Sequence, residues 1–562
     1  MTISSLINPF PVDKNISRRE RRGRRGETLL VKEGFILFEN ARIETMDEAC
    51  QIAGAMLAMN GFVLHLFREA RPDVSGFHPL RRVDCKNLVM LPAFTDAHIH
   101  LMDTGVHLDT VDVSAARSEE EAVMLLKEAQ KDVPAGQWIQ GSRWGHNLWE
   151  PPRLPSKKTL DAAFPQNPVF LFSKCGHLLW VNSPALKEAG IAGHTPDPPG
   201  GQIERDADGN PTGILKENAS VLITRVIPEC PAWRKKEFLK KAARHLHRFG
   251  IVNVHAPEEA ETFSLLQEIR NEPDFRLNVV IYIPVSQLES LVSARIQSGF
   301  GDDVLRFGGV KAFVDGSLGG RTAWMEEPYE GEPDNTGMQI ATKDELLEMV
   351  VRANRAGISV MTHAIGDRAV RTILEVYSET GAVKETGMGG TMNRIEHFQI
   401  LREDILPALA DAQVAASVQP VHIFSDWSAA DRFWGRRARW AYPFRTLLRA
   451  GLPLVFGSDS PVEPVNPFWG IYAATLRKDL QGRPSGGWYP EERLSLQESL
   501  SAYIVKPPEI VGEGGHKGRL APGYRADFVL INRAPLTEPP EALMETHVLA
   551  TAVAGEFVFS EL

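Results

Sequence analysis

Cysteine is scarce and scattered in this chain. Only Cys50, Cys85, Cys175 and Cys230 occur in 562 residues, and no two share a C-x-x-C spacing. A disulfide framework and a thiolate zinc site are therefore not expected, and a reducing cytoplasm suits the chain best. Long apolar runs are lacking as well. None reaches the roughly 20 residues that cross a bilayer, and the most apolar stretch, IAGAMLAMNGFVLHLF, is broken by Asn60, Gly61 and His65 and reads as two strands around a turn. Nor is there a basic excess. With 72 acidic against 62 basic residues the net charge is −10, which argues against general affinity for nucleic acid or an anionic membrane and favours a small-molecule substrate. The basic cluster Arg18 to Arg25 is followed by no apolar segment. Residues 1–27 are thus expected to be a solvated, disordered tail, not an export signal or a nucleic-acid arm.

What is present is an ordinary globular composition, 43% hydrophobic, with a length that allows two domains and a large insertion. Residues 28–88 alternate short β-type runs with turns, and residues 511–562 do the same. The two ends are expected to complete one β-sandwich. Between them, over 89–510, eight β-runs alternate with helical stretches. They are VMLPAFTDAHIH, GIVNVHA, RLNVVIYIPV, VLRFGGVKAFVDG, GISVMTHA, RIEHFQI, VAASVQPV and LPLVFGSD. That is the count for an α/β fold of the (β/α)8, TIM-barrel type. The interval of about 101–218 is too long for one β/α unit and is expected to be an insertion after the first barrel strand, acting as a lid or specificity wall.

Five of these segments end on a side chain that suits a metal site. They carry His98 and His100, Lys311, His363, His397 and Asp459. Imidazoles with a carboxylate can hold a zinc-type cation while leaving a position for water. Residues two apart on a strand face the same way, so Asp96, His98 and His100 are expected to project together while Ala97 and Ile99 face the helices. A buried Lys311 must be paired, neutralised or modified. Two readings stand: a salt bridge to Asp315 or another carboxylate, or carboxylation to a carbamate that bridges two metals. His363 and His397 are each open to a reading as polar core histidines, and Asp459 to one as a helix cap. Together they supply four imidazoles and a carboxylate that can bind metal and take a proton from the attacking water.

The segments PAFTDAHIHL, GHLLWVNSPAL, KAFVDGSLGGRTA, HAIGDRA, RIEHFQ, GSDSPVEPVNPF and GRLAPGYRADFVLINRAPL resemble the metal-dependent amidohydrolase superfamily, in the branch that includes N-substituted formamide deformylases. The resemblance spans nearly the whole chain after the basic tail. It implies a (β/α)8 barrel with a composite β-sandwich, one or two divalent metal ions with zinc the first choice, and hydrolysis of a non-peptide C–N bond. His98, His100, His363, His397 and Asp459 would be metal ligands and Lys311 the bridging, carboxylated lysine. His177, Trp144 and Arg321 would line the substrate side. In that scheme cation-bound water is acidified to a pKa of about 7, Asp459 acts as general base and then acid, and the metal and His177 polarise the carbonyl. The second-strand segment departs from the family by ending in Ala256 in place of an aspartate, which leaves His255 without a role. Trp138, Trp144, Trp149, Trp427 and Trp434 hint at an apolar or aromatic substituent on the substrate. Deamination, cyclic amide opening and a non-catalytic metal-binding barrel are the rival readings, and a homodimer is the assembly entertained.

Overall fold

In the central part of the chain, eight runs of three to nine residues pair side by side in the order in which they occur. The structure, a computed structural model, describes residues 34–562 except 132, 147–148, 151, 174–177 and 381–389. The basic tail and His177 lie outside the described residues. Eight strands form one parallel sheet: Phe94–Asp96, Ile251–Pro257, Asn278–Pro284, Leu305–Phe313, Ser359–Ala364, Arg394–His397, Ala415–Val418 and Leu454–Phe456. A backbone bond from Ala97 N to Phe456 O at 2.9 Å joins the eighth strand to the first and closes the barrel.

Side chains from across the cylinder meet inside it. Ala97, Val280, Tyr282, Met361, Ala415 and Val455 form one buried cluster, which is open to residues of different strands only if they face the interior. Helices cover the outside. Lys343–Arg355 illustrates why: Thr342 and Glu345 make a capping box, and Arg352 and Arg355 sit at the negative end of the helix dipole. Leu346, Val350 and Ala353 fall on one buried face at helical spacing. Among the described residues no helix is long and apolar enough to cross a membrane.

The two chain ends share a second layer. One sheet of four strands (Phe62–Phe67, Ala55–Met59, Phe35–Glu39, Leu80–Asp84) comes from the N-terminal part alone. The six-stranded sheet pairs Phe528–Ile531 antiparallel with Val89–Pro92, so each end supplies strands the other needs. Phe38, Met56, Met90, Phe528, Leu530 and Ala550 fill the core between them, with Phe38 and Phe528 edge to face at 4.7 Å. The segment read as one first barrel strand is in fact two. Val89–Pro92 belongs to the sandwich and Phe94–Asp96 to the barrel. Pro92 has no N–H to continue a ladder, and at Ala93 the chain crosses over: Ala93 N bonds to Asp527 O, and Phe94 N to Gly250 O.

Residues 102–241 form a separate compact unit. Its mixed six-stranded sheet runs from Gly201–Arg205 at one edge to Val111–Asp112 at the other. Apolar clusters line the sheet, one around Trp144, Trp149 and Trp180 and another around Phe170, Leu179 and Leu215.

Candidate metal centre

The first barrel strand stops at Asp96, and a bend follows at Ala97 and His98. This corrects the expected alternation. Ala97 packs in the barrel interior, whereas Asp96 accepts from Ser458 N at 3.0 Å, Ser458 Oγ at 2.6 Å and His98 N at 3.2 Å. Asp96 thus fastens the ends of the first and eighth strands together. His98 and His100 come from the irregular chain beyond the strand, where the two-residue period no longer applies. Asp459 N bonds to His98 O at 2.7 Å, which sets the eighth-strand carboxylate beside the first-strand histidines.

Asp459 Oδ1 lies 3.4 Å from His98 Nε2 and 3.3 Å from His100 Nε2. The rings of His98 and His397 are 5.1 Å apart, and those of His397 and His363 4.4 Å apart. Ligand atoms of His98, His397 and Asp459 all fall within 4.8 Å of one another, a spacing that could hold a metal ion. Backbone conformation helps to gather them. His397 and Asp459 have φ of 69° and 57°, a region that is uncommon away from glycine and is found where a site over-determines the chain. On the sixth strand Arg394 and Glu396 share one face, and the left-handed turn at His397 and Phe398 ends that alternation as the chain leaves the barrel.

The neighbours of these imidazoles select their tautomers. His98 Nδ1 meets the Glu396 carboxylate, and His397 Nδ1 meets Gln419 Oε1 at 2.8 Å. An accepting oxygen at Nδ1 favours the tautomer with its proton there and the Nε2 lone pair free, the form a metal ligand requires. Burial holds the pKa of His98 and His397 below the ordinary imidazole value, keeping both neutral. Asp459 is held well below the usual carboxylate range: burial opposes its charge, and the hydrogen bond from His100 favours it. His100 is also opposed by burial, yet Asp459 keeps its pKa raised. Near them His422 Nε2 is buried without a hydrogen-bond partner, 3.9 Å from Asp459 Oδ2.

Lys311 is buried, its Nζ 5.0 Å from the Phe313 ring centroid. Burial pushes its pKa down to about 8 against the pull of Glu396 and Asp459. The salt bridge to Asp315 is not formed. Asp315 instead accepts from Trp324 N, Ile365 N and Gly366 N at 2.8, 3.0 and 2.7 Å, tying together the loops after the fourth and fifth strands. His363 lies against Phe313 and His397, and its Nε2 donates to Gly316 O at 2.9 Å.

The three residues expected on the substrate side are not gathered in the same way. Trp144 has no exposed surface; its Nε1 donates to Leu171 O at 2.9 Å and its ring packs with Trp149 and Trp180. It is a core side chain of the insertion, as Trp434 is of its own region. Arg321 is exposed, ion-paired to Glu332 and 5.6 Å from the Phe433 ring. His177 is outside the described residues. Sequence reasoning missed Arg394, Glu396, Gln419 and His422. The signal for the first two was available, since two charged residues on one face of a four-residue barrel strand must be paired if buried.

A closed parallel barrel with imidazoles and a carboxylate converging beyond the C-terminal ends of its strands is the build of a metal-dependent hydrolase. The chain belongs to the amidohydrolase family, whose profile matches residues 81–559. It is 30% identical over 540 residues to the protein LONG AFTER FAR-RED 3 of Arabidopsis thaliana, covering 93% of this chain and 91% of that one. It is 26% identical over 539 residues to the N-substituted formamide deformylase of Arthrobacter pascens, covering 92% and 97%. An uncharacterized metal-dependent hydrolase from Pyrococcus horikoshii superposes with a TM-score of 0.75 at 28% identity, covering 90% of this chain and 99% of that one.

Proposed function

We propose that this hydrolase cleaves a non-peptide C–N bond, of amide or formamide type, in a small molecule, with His98, His100, His363, His397 and Asp459 as metal ligands and Lys311 as a bridging carbamate. The observation that carries this reading is the cluster of His98, His397 and Asp459, in which Nδ1 of both histidines is engaged by an oxygen outside the cluster. Such donors fit a divalent cation, zinc by preference. A cation held there supplies an acidified water and polarises a carbonyl. Asp459, kept ionised with the help of the His100 hydrogen bond, takes the proton from the attacking water and returns it to the leaving nitrogen. His422, with its buried Nε2 unpartnered, offers a polar contact to the substrate beside Asp459. The depressed pKa of Lys311 raises the share of free amine, the form that adds carbon dioxide to give a carbamate and a proton. The formamide deformylase similarity supports an N-formyl or N-acyl amine as the substrate.

The test is elemental analysis of the purified chain beside His98→Asn, followed by a panel of N-formyl amines, N-acyl amines, cyclic amides and aminopurines. About one or two divalent metals per chain, depleted in His98→Asn, with turnover of N-formyl or N-acyl amines, is the expected result. Turnover of aminopurines alone would refute the choice of bond, and a wild-type chain that takes up no zinc, manganese or iron would refute the metal site.

A further inference from the structure

We propose that Glu396 is the positioning residue that sets which nitrogen of His98 faces the metal, and that Arg394 holds Glu396 in place for this purpose. The inference deepens the reading above and rests on it, since it takes His98 as a ligand. A neutral imidazole has two tautomers, and only one presents Nε2 as a lone pair. A carboxylate facing Nδ1 can only accept, so it draws the proton to Nδ1. Glu396 stands in that place, leaving Nε2 directed at Asp459.

A carboxylate with no solvent exposure needs strong compensation. Arg394, itself fully buried, donates to it from Nε at 2.5 Å and from Nη2 at 3.1 Å. The rest of the guanidinium is spent on three other strand regions. Nη2 also donates to Ala97 O, the residue before His98, at 2.6 Å, and to Ser417 Oγ of the seventh strand at 2.6 Å. Nη1 donates to His255 Nδ1 of the second strand at 2.9 Å. This accounts for His255, whose place in the second-strand segment the sequence left unexplained: it is a neutral acceptor that orients Arg394. One planar cation therefore fixes both the carboxylate behind His98 and the backbone that carries His98. Lysine, with a single nitrogen, could not span these acceptors.

A purely structural ion pair filling the barrel would have the same geometry, so the test must separate ligand orientation from stability. Replacing both charges together, Arg394→Met with Glu396→Leu, leaves neither member of the ion pair buried alone and should keep the fold. Zinc affinity of the full chain, measured by competition with a chromogenic chelator, is expected to fall by about 10- to 100-fold, while the metal-free melting midpoint and circular dichroism stay close to wild type. Folded double variant with zinc affinity within about threefold of wild type would overturn the proposal. Should that variant not fold, ¹⁵N spectra of histidine-labelled, chelator-treated wild type decide the matter. The signal of His98, identified by its loss in His98→Asn, is expected to show the proton on Nδ1, and a proton on Nε2 would overturn the proposal. Wild type that binds no zinc would sink the metal reading itself, a result distinguishable from a change confined to the variant.

Discussion

Gly457→Ala is expected to disable the site through one methyl group. Gly457 follows the eighth barrel strand, and a Cβ there would lie 2.5 Å from His98 N, 2.9 Å from its Cα and 2.8 Å from its Cβ. The closest of these is about an ångström short of ordinary van der Waals contact, and none involves the end of a flexible side chain. Neither partner can easily drift away, because Gly457 N is bonded to Val418 O at 3.1 Å and His98 O accepts from Asp459 N at 2.7 Å. Gly457 is not among the positive-φ glycines, so alanine brings no backbone strain and the effect is steric. Overpacking of this kind costs about 1–3 kcal/mol of stability. Displacing a reacting group by roughly 1 Å costs on the order of 100-fold in rate, about 2.7 kcal/mol in the barrier. The assay is zinc affinity by chelator competition together with kcat/KM on the best N-formyl amine. Wild-type values for both in a folded Gly457→Ala protein would refute the placement of His98 against the eighth strand.

Two further predictions concern His247 and Trp144. His247 is 3% exposed, its Nε2 donates to Arg276 O at 3.2 Å, and burial pushes its pKa down to about 4. Because the folded pKa is depressed below the ordinary value of about 6.5, its contribution to stability is intact above that pH and is lost as pH falls toward 4. His247→Gln should therefore flatten the pH dependence of the urea midpoint across that window, and an unchanged slope would contradict the assignment. Trp144→Ala removes a fully buried indole and is expected to cost about 3–5 kcal/mol in the stability of the 102–241 unit. Limited proteolysis should then cut within that unit, whereas intact resistance with a changed KM would place Trp144 on the substrate side after all.

Local pattern was enough for much of the fold. Apolar runs alternating with helical ones specify a barrel because strand and helix periods are written in neighbouring residues, and the strand-like character of both termini pointed to the shared sandwich for the same reason. The candidate side chains of the site stand out as well, since His, Lys and Asp break the ends of apolar runs, and His98, His397 and Asp459 of these lie close enough together to hold a metal ion. The tertiary structure alone decided matters that depend on partners far along the chain. The crossing from sandwich to barrel at Ala93 follows from which backbones Asp527 and Gly250 bring to it. Asp96 turns to Ser458 and Ala97 to the interior because the strand ends there, not where its apolar run ends. Trp144 is a core residue because Trp149, Trp180 and Leu171 O surround it. Arg394 and Glu396 acquire meaning only once the barrel closes, when a buried charge must find its acceptors on whichever strands the fold has placed beside it.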